Sequence, residues 1–238
     1  MISLRYMHRA VFFDVDDTLT RGVIAHKRAF SYAFKKVFNI NATIDIINYH
    51  GMTDQQIILE TLKKKGLRES VIKSTMKDCI EAMTKYYETA VENDNIVVLD
   101  GVEKLLHELK KRKVILGLVT GNSKKIAMKK LNKVGIGHYF VVGAFGDDDI
   151  DRSRLVELAI KRIERKFGIK PSKVFLFGDT PCDIEAGEKV GAITVGVATG
   201  KYTKKELLYA GADFVVDNLK DTEGILDIIF DSRNENRT

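Results

Sequence analysis

Residues 9–20 read RAVFFDVDDTLT, and this stretch predicts both the fold and the position of a functional site. Its first half is a short apolar run rich in aromatic side chains, which favours a strand buried on both faces. Three carboxylates and a threonine follow the run directly: Asp14, Asp16, Asp17 and Thr18. Open α/β sheets bind ligands beyond the carboxyl ends of their strands. The stretch therefore predicts a site for a hard cation such as Mg²⁺ or, alternatively, a solvated acidic turn that caps a helix.

The composition is that of an ordinary globular protein. The chain has 238 residues, of which 45% are hydrophobic and 30% charged, enough for one large domain or two unequal ones. No apolar stretch is long enough to span a bilayer, and the first residues do not resemble a signal peptide. Cys79 and Cys182 lie far apart without metal-ligand spacing. We therefore expect reduced thiols, a cytoplasmic location and no membrane partner.

The net charge of +6 raises the question of nucleic-acid binding. The basic residues cluster at 63–65, 110–113 and 124–130, within or at the ends of helical patterns. Lysines at such positions solvate a helix face or complement the helix dipole. No aromatic residues are interleaved with them as in an RNA-binding surface. We therefore expect no nucleic-acid partner, and a mild attraction for anionic substrates instead.

The order of helical and strand patterns predicts a sheet interrupted by a helical insertion. Helical patterns cover residues 23–38, a stretch beginning at Asp54, and residues 71–91, with no convincing strand between them. From Gly101 onward helices and strands alternate, which predicts a doubly wound parallel sheet of the α/β class. The later strands are expected at residues 114–119, 139–142, 174–177, 192–197 and 214–216. We assign residues 1–20 and 97–238 to a Rossmann-like core and residues 21–96 to an all-helical cap domain.

Three later positions at strand ends carry residues suited to phosphate and metal binding. Thr120 offers a hydroxyl and is followed by the backbone N–H groups of Gly121 and Asn122, an arrangement that binds anions. A second acidic cluster, GDTPCD at residues 178–183, contains Asp179 and Asp183. A cation follows the acidic loop at 146–151, either Arg152 or, failing that, Arg154. Each could merely cap a helix or balance charge, but parallel strands bring all of them to one edge of the sheet.

In this order DVDDT, Thr120, Arg152 and GDTPCD resemble the four motifs of the haloacid dehalogenase-like (HAD) hydrolase superfamily. The third motif departs from the usual pattern, because an arginine stands in place of a lysine that a proline follows in many relatives. The insertion point resembles that of the helical-cap subgroup, which contains phosphoglycolate phosphatases, β-phosphoglucomutases and phosphonatases. The resemblance implies a Mg²⁺-dependent phosphatase that acts on a small phosphorylated metabolite.

The resemblance also implies a role for each motif residue. Asp14 would attack phosphorus and form an aspartyl-phosphate, and Asp16 would serve as general acid and then as general base. Mg²⁺ would be held by Asp14, Asp179 and the backbone carbonyl of Asp16, with Asp183 binding metal-bound water or orienting Asp179. The catalytic set is completed by Thr120 and Arg152. The phosphate would contact these four residues, Asp14, Asp16, Thr120 and Arg152, together with Gly121 and Asn122.

The helical insertion is expected to select the substrate. Its candidate residues lie on the first cap helix and in the loop after it: His26, Arg28, His50, Gly51, Met52 and Thr53. Each of these could equally be a surface residue of a helix or a turn. Two other functions stay open beside the phosphatase, namely a phosphosugar mutase of the same superfamily and a non-catalytic phospho-acceptor or binding module. The sequence does not indicate the physiological substrate or the oligomeric state.

Overall fold

A parallel six-stranded sheet forms the centre of the computed structural model, which describes residues 9–22 and 24–231. The strands are β1 (Arg9–Phe13), β2 (Thr20–Arg21), β3 (Val97–Val98), β4 (Ile115–Thr120), β5 (Val142–Phe145), β6 (Lys173–Gly178), β7 (Ile193–Val197) and β8 (Phe214–Val216). The sheet has the order β5-β4-β1-β6-β7-β8, and β2 pairs antiparallel with β3 in a separate ribbon. β1 therefore lies in the middle of the sheet.

Helices cover both faces of this sheet and form a separate helical region. They are α1 (Ile24–Phe38), α2 (Asp54–Lys64), α3 (Glu69–Ser74), α4 (Met76–Ala90), α5 (Val102–Lys111), α6 (Lys124–Lys133), α7 (Arg152–Phe167), α8 (Pro181–Lys189), α9 (Lys204–Tyr209) and α10 (Thr222–Phe230). None of these described helices is both long and apolar enough to cross a membrane.

The side chains of β1 alternate between two hydrophobic cores. Val11 and Phe13 face one cluster, to which α5, α6 and α10 contribute, and Ala10 and Phe12 face another, with α7 and α8. All four side chains are fully buried. A strand covered by helices on both faces must be apolar at every position, and this explains the unbroken apolar run in the sequence. The predicted doubly wound α/β fold is confirmed.

Helices α1 to α4 pack on one another and have a hydrophobic core of their own. Phe30 and Phe34 of α1 meet Ile58, Leu62 and Met83 there, and all five are buried. The β2–β3 ribbon pairs Thr20 with Val98, at the two ends of the expected insertion. The division into a core and a cap at residues 21 and 96 stays a prediction, because the sheet topology alone does not define a domain boundary.

The single helix predicted over residues 71–91 is two helices, α3 and α4, because the helical conformation is interrupted at Thr75. The hydroxyl of Thr75 donates to the carbonyl oxygen of Val71 at 2.8 Å, and that of Ser74 donates to the same oxygen at 2.9 Å. Hydroxyl side chains that bond to nearby carbonyls compete with the helical hydrogen bonds. Thr75 accordingly leaves the helical conformation, with φ −112° and ψ 9°.

The strand predicted over residues 139–142 lies three residues later, at β5. A 3₁₀ turn over Gly137–Tyr139 occupies the expected start, and Phe140 N donates to the carbonyl oxygen of Gly137. Pairing with β4 begins only after this turn, where Val141 N donates to the carbonyl oxygen of Leu116 at 3.0 Å. The other four strands predicted after Gly101, which are β4, β6, β7 and β8, agree with prediction to within one residue at each end. Val23, the predicted first residue of α1, lies outside the described residues.

Candidate active site

Asp14 lies just beyond the end of β1, buried between the two neighbouring strands. Its backbone N–H donates to the carbonyl oxygen of Phe177 at 2.9 Å, which extends the pairing with β6. On the side of β4, Thr120 lies beside the Asp14 carboxyl, and its hydroxyl acts to lower the pKa of that group. The guanidinium of Arg152 lies 2.6 Å from Asp14 Oδ1. The structure thus brings together three of the predicted catalytic residues at one edge of the sheet.

Arg152, and not Arg154, occupies the third-motif position. α7 begins at Arg152, and Asp151 caps it by accepting a hydrogen bond from Ser153 N at 2.9 Å. This start directs Arg152 into the site, where it is buried and also lies 2.6 Å from Asp183 Oδ1. The Arg154 side chain is 70% exposed and faces Asp149 at 3.7 Å.

The second acidic cluster is held at the end of β6 by the start of α8. Asp183 accepts hydrogen bonds from the N–H of Thr180 at 3.1 Å and from its hydroxyl at 2.7 Å, forming a capping box. A Cβ on Gly178 would lie 2.1 Å from Asp183 Cγ, so the backbone passes this carboxylate too closely for any other residue. Asp179 is buried in the same place, with only 3% of its surface exposed.

Burial of these carboxylates makes their negative charge costly. Burial raises the pKa of Asp14 to about 7; Arg152 opposes this, while Asp183 and Asp16 add to it. Burial and the charges of Asp14 and Asp183 raise the pKa of Asp179 to about 9. A like charge disfavours the ionised form of its neighbour, and a bound cation has the opposite effect.

The carboxylates of Asp14, Asp179 and Asp183 are chemically suited to bind Mg²⁺. Carboxylate oxygens are the ligands of a hard divalent cation. Among the residues that the structure describes, Asp179 has no cationic partner comparable to the Arg152 that Asp14 and Asp183 share. Asp183 Oδ1 is buried without an aligned hydrogen bond. Within residues 9–22 and 24–231, no three His, Cys, Asp or Glu side chains already form a metal-binding group. The metal ligands therefore stay a prediction.

Asp16 faces a second cation, which the sequence did not predict. Its Oδ2 accepts from Asn122 Nδ2 at 2.9 Å, and the Lys130 ammonium lies 2.7 and 2.6 Å from its two oxygens. Burial alone would raise the pKa of Asp16, but the Lys130 charge, with hydrogen bonds from Lys130 and Asn122, holds it below its usual value. The Lys130 side chain is wholly buried.

The expectation that the basic residues at 124–130 solvate a helix face is therefore wrong for Lys130. It lies four residues after Ile126, and these two positions share one face of α6. Ile126, Ala127 and Leu131 are buried as well. A lysine placed within an apolar stripe of a helix is the sequence signal that could have identified this residue.

A cavity of about 120 Å³ lies between the sheet edge and the helical region. Of the predicted substrate residues, His26, His50, Gly51 and Met52 line it. Arg28 does not, because it lies on the exposed side of α1. The remaining walls come from both regions: Asp14, Asp16, Asp17, Lys27, Phe30, Ile44, Tyr49, Asp54, Ile57, Gly121, Asn122, Arg152, Asp179 and Thr180.

Thr53 was predicted to contact the substrate, but it does not line the cavity. It is fully buried and caps α2. Its hydroxyl accepts from Gln56 N at 3.2 Å and donates to the carbonyl oxygen of Ile150 at 3.2 Å. Lys27 and Tyr49, which were not predicted from the sequence, line the cavity beside His50. Lys27 lies over the ring of Tyr49, 5.0 Å from its centroid.

Hydrogen bonds fasten the helical region to the loop after β4. Asp54 N donates to the carbonyl oxygen of Gly121 at 2.7 Å, and Asp54 Oδ2 accepts from Ser123 N at 2.7 Å. A Cβ on Gly121 would lie 2.4 Å from the carbonyl oxygen of Met52. The helices therefore lie closed over Asp14 and its neighbours.

Comparison with known proteins identifies the class of this fold and site. Residues 11–197 match the family of haloacid dehalogenase-like hydrolases. The chain belongs to this family, as its four motifs predicted, and the alternative of a non-catalytic phospho-acceptor module does not hold.

Individual relatives match either nearly the whole chain or about half of it. It is 26% identical over 227 residues to "Pyrophosphatase PpaX" of Oceanobacillus iheyensis, covering 94% of this chain and 98% of that protein. It is 29% identical over 121 residues to a "Phosphoglycolate phosphatase" of Synechococcus elongatus, covering 51% of this chain and 55% of that protein. The crystal structure of a predicted phosphatase from Clostridium acetobutylicum superposes with a TM-score of 0.72 at 22% identity, covering 92% of this chain and 99% of that one. The predicted family, fold and enzyme class are confirmed.

Proposed function

We propose that the protein is a Mg²⁺-dependent phosphatase that hydrolyses a small phosphate monoester through an aspartyl-phosphate on Asp14. The observation that supports this most directly is that Asp14 and Arg152 are paired on the wall of a cavity, with Thr120 beside Asp14. A carboxylate nucleophile, a hydroxyl and a fixed guanidinium are the groups that transfer of a phosphoryl group requires.

Asp14 attacks phosphorus, and the ester oxygen leaves on the opposite side. Arg152, which lines the cavity, binds the equatorial oxygens as their charge redistributes, and the buried Thr120 acts on the Asp14 carboxylate. Asp16, two residues on and ionised beside Lys130, takes a proton from the bound phosphate monoester and passes it to the leaving oxygen. It later takes one from the water that hydrolyses the aspartyl-phosphate. Both events need the Asp16 carboxyl to face the cavity, which it lines.

The residues that would hold Mg²⁺ are Asp14, Asp179 and the backbone carbonyl of Asp16. Asp183 would bind metal-bound water or orient Asp179. The bound ion supplies positive charge that lowers the repulsion between an anionic nucleophile and an anionic phosphate. The high pKa of Asp179 supports this assignment, because a buried carboxylate without a cation is costly.

The helical region supports a compact substrate with a polar end. Lys27, Tyr49 and His50 form a polar part of the wall, and Phe30 and Ile57 an apolar part. Phosphoglycolate, phosphorylated carbohydrates and pyrophosphate are the compounds to assay first, since proteins similar to this one carry the names of such activities.

The test combines a substrate screen with detection of the phosphoenzyme. Wild-type protein with Mg²⁺ is expected to release inorganic phosphate and to carry a phosphoryl group on Asp14, found by mass spectrometry of the acid-quenched peptide. Asp14→Asn is expected to lose both signals, and removal of Mg²⁺ with EDTA to lose turnover. The control is Asp217→Asn, the same change at a 73%-exposed side chain beyond β8.

Undiminished phosphate release by Asp14→Asn would refute the proposal. Interconversion of a hexose phosphate without net phosphate release would assign the protein to the mutases instead, because such a transfer returns the phosphoryl group to the substrate.

A further inference from the structure

Lys130 is a buried cation that the proposed chemistry does not use. Its ammonium lies within hydrogen-bond distance of four acceptor atoms: Asp16 Oδ1 at 2.7 Å, Asp16 Oδ2 at 2.6 Å, Asn122 Oδ1 at 2.8 Å and His26 Nδ1 at 3.2 Å. An ammonium has three protons to donate, so its hydrogen-bonding capacity is fully used. Lys130 is therefore held in one place by residues from three parts of the chain.

Stability alone does not explain a lysine at this position. Replacing a buried ion pair by apolar side chains of similar size is often neutral or stabilising. The neighbouring positions of α6 are apolar, and Ile126 on the same face packs with the core of the helical region. A methionine or leucine would continue this stripe. The position of the Asp16 carboxylate is what an apolar residue could not reproduce.

Lys130 also does not contact the substrate directly. It is absent from the walls of the cavity, whereas Asp16 and Asn122 are part of them. Asn122 Nδ2 donates to Asp16 Oδ2 while Asn122 Oδ1 accepts from Lys130, so the three side chains form a closed set of hydrogen bonds. Lys130 can therefore affect the reaction only through the side chains it holds, and the one it contacts with two oxygens is Asp16.

The geometry points to Lys130 as a positioning residue that fixes the Asp16 carboxylate for proton transfer, with His26 linking it to the helical region. This inference rests on the proposed function, because it takes Asp16 to be the proton donor and acceptor. Lys130 forms no bond to the reacting atoms and transfers no group. It determines which direction the Asp16 oxygens face.

His26 extends this arrangement into the closed helical region. Its Nδ1 accepts from Lys130, which leaves the proton on Nε2, 3.3 Å from Asp54 Oδ1. The other oxygen of Asp54 accepts from Ser123 N in the core. The ring of His26 is stacked on Phe30, with the centroids 5.0 Å apart. Closure of the helices and the position of Asp16 therefore depend on shared residues.

The test compares Lys130→Met with Lys129→Met, the same change at the preceding, exposed position of α6. In Lys130→Met we expect kcat for an alkyl phosphate to fall about 10²-fold, with KM changed less than twofold. Formation of the phosphoenzyme from p-nitrophenyl phosphate is expected to change much less, because that leaving group departs without a proton. Lys129→Met is expected to match wild type with both esters.

Two further variants separate positioning from a structural role. Lys130→Met combined with Asp16→Asn is expected to lose nothing beyond Asp16→Asn alone, because Lys130 acts through Asp16. Lys130→Arg keeps the charge, and we expect it to recover part of kcat. It also preserves the test should Lys130→Met fail to fold. An equal loss on both esters that persists in the Asp16→Asn background would overturn the inference, as would Lys130→Met matching Lys129→Met.

A crystal structure of Lys130→Met gives an outcome that does not depend on activity. The inference expects the Asp16 carboxylate to leave its place beside Asn122, and an unchanged position would overturn it. Wild-type protein that hydrolyses no phosphate ester would refute the proposed function, with the crystal structure still deciding the position of Asp16. If the wild type is active and Lys130→Met has the same kcat, only the role of Lys130 is refuted.

Discussion

Two buried pairs of cation and carboxylate flank the proposed site, and they differ in access to the cavity. The arginine pair consists of Arg152 with Asp14, and the lysine pair of Lys130 with Asp16. Both cations are buried and both lie 2.6 Å from a carboxylate oxygen. Arg152 lines the cavity and Lys130 does not. The first can therefore bind an anionic substrate directly, and the second acts through the side chains that it holds, Asp16 first among them.

The difference shows that a charge in an active site is not by itself a substrate-binding group. Arginine presents several donors in a planar fork, which suits a phosphate and two carboxylates at once. Lysine is a compact point charge on a long apolar stem, and Lys130 buries that stem within the apolar stripe of α6. The predictions below separate the roles of the two pairs.

The largest effect is expected from Asp16→Asn, which removes the proton donor and acceptor of the lysine pair. The amide keeps the shape of the side chain but cannot transfer the proton. Turnover of an alkyl phosphate should fall by about 10²–10⁴-fold. Rapid-quench measurements should show that both formation and hydrolysis of the phosphoenzyme are slowed. Normal rates of both steps in Asp16→Asn would show that Asp16 does not transfer the proton. The lysine pair would then have no role in the reaction.

The arginine pair should respond to Arg152→Met by losing affinity for phosphate as well as rate. We expect kcat to fall by about 10²–10³-fold and the inhibition constant of inorganic phosphate to rise. Arg154→Met is the matched control, since that side chain is largely exposed. If Arg152→Met leaves phosphate inhibition unchanged, the two pairs do not differ in the way described.

A smaller effect is expected in the wall opposite both pairs. His50→Ala should raise KM by about tenfold, the size of one lost contact in a binding pocket, with little change in the hydrolysis of the phosphoenzyme. Arg28→Ala removes a cation from the exposed side of α1 and should leave KM unchanged. Equal KM values for wild type and His50→Ala would exclude this part of the wall from substrate recognition.

The smallest effect is expected in thermal stability as pH changes. The pKa of Asp14 is raised from 3.8 to about 7, and that of Asp179 from 3.8 to about 9. At pH values above 3.8 and up to about 9, these two groups therefore bind more protons in the folded protein than in the unfolded chain. Stability in EDTA should therefore fall as pH rises through this range. Mg²⁺ should offset the loss most at the alkaline end, because it binds the ionised carboxylates.

Melting temperatures with EDTA and with Mg²⁺ measure this directly. Asp179→Asn should reduce both the dependence on pH and the gain from Mg²⁺. A gain that is equal at all pH values, or that persists in Asp179→Asn, would show that the ion binds elsewhere.

Much of the arginine pair could be predicted from the sequence. Asp14 follows the apolar run of β1, and Thr120 ends β4, so parallel pairing alone places them side by side. The choice between Arg152 and Arg154 could not be made in the same way. It depends on the residue at which α7 begins, and the cap at Asp151 decides this.

The lysine pair was not predicted, because Lys130 lies in the last turn of α6 and not at a strand end. Its charge indicated an exposed face, and only the packing of α6 against the helical region buries it. The same holds for Arg28 and Lys27, which are neighbours in sequence. One is exposed and the other lines the cavity, according to the rotation of α1.

The sequence by itself determined the parallel sheet, the order of its motifs and the edge at which they meet. Short apolar runs and alternating helices specify these features locally, and the directions of parallel strands do the rest. Only the tertiary structure decided which cation faces the cavity, which side of α1 meets the core, and which carboxylate each cation holds. These depend on how two separately packed regions fit together, and small rotations of a helix exchange a buried side chain for an exposed one.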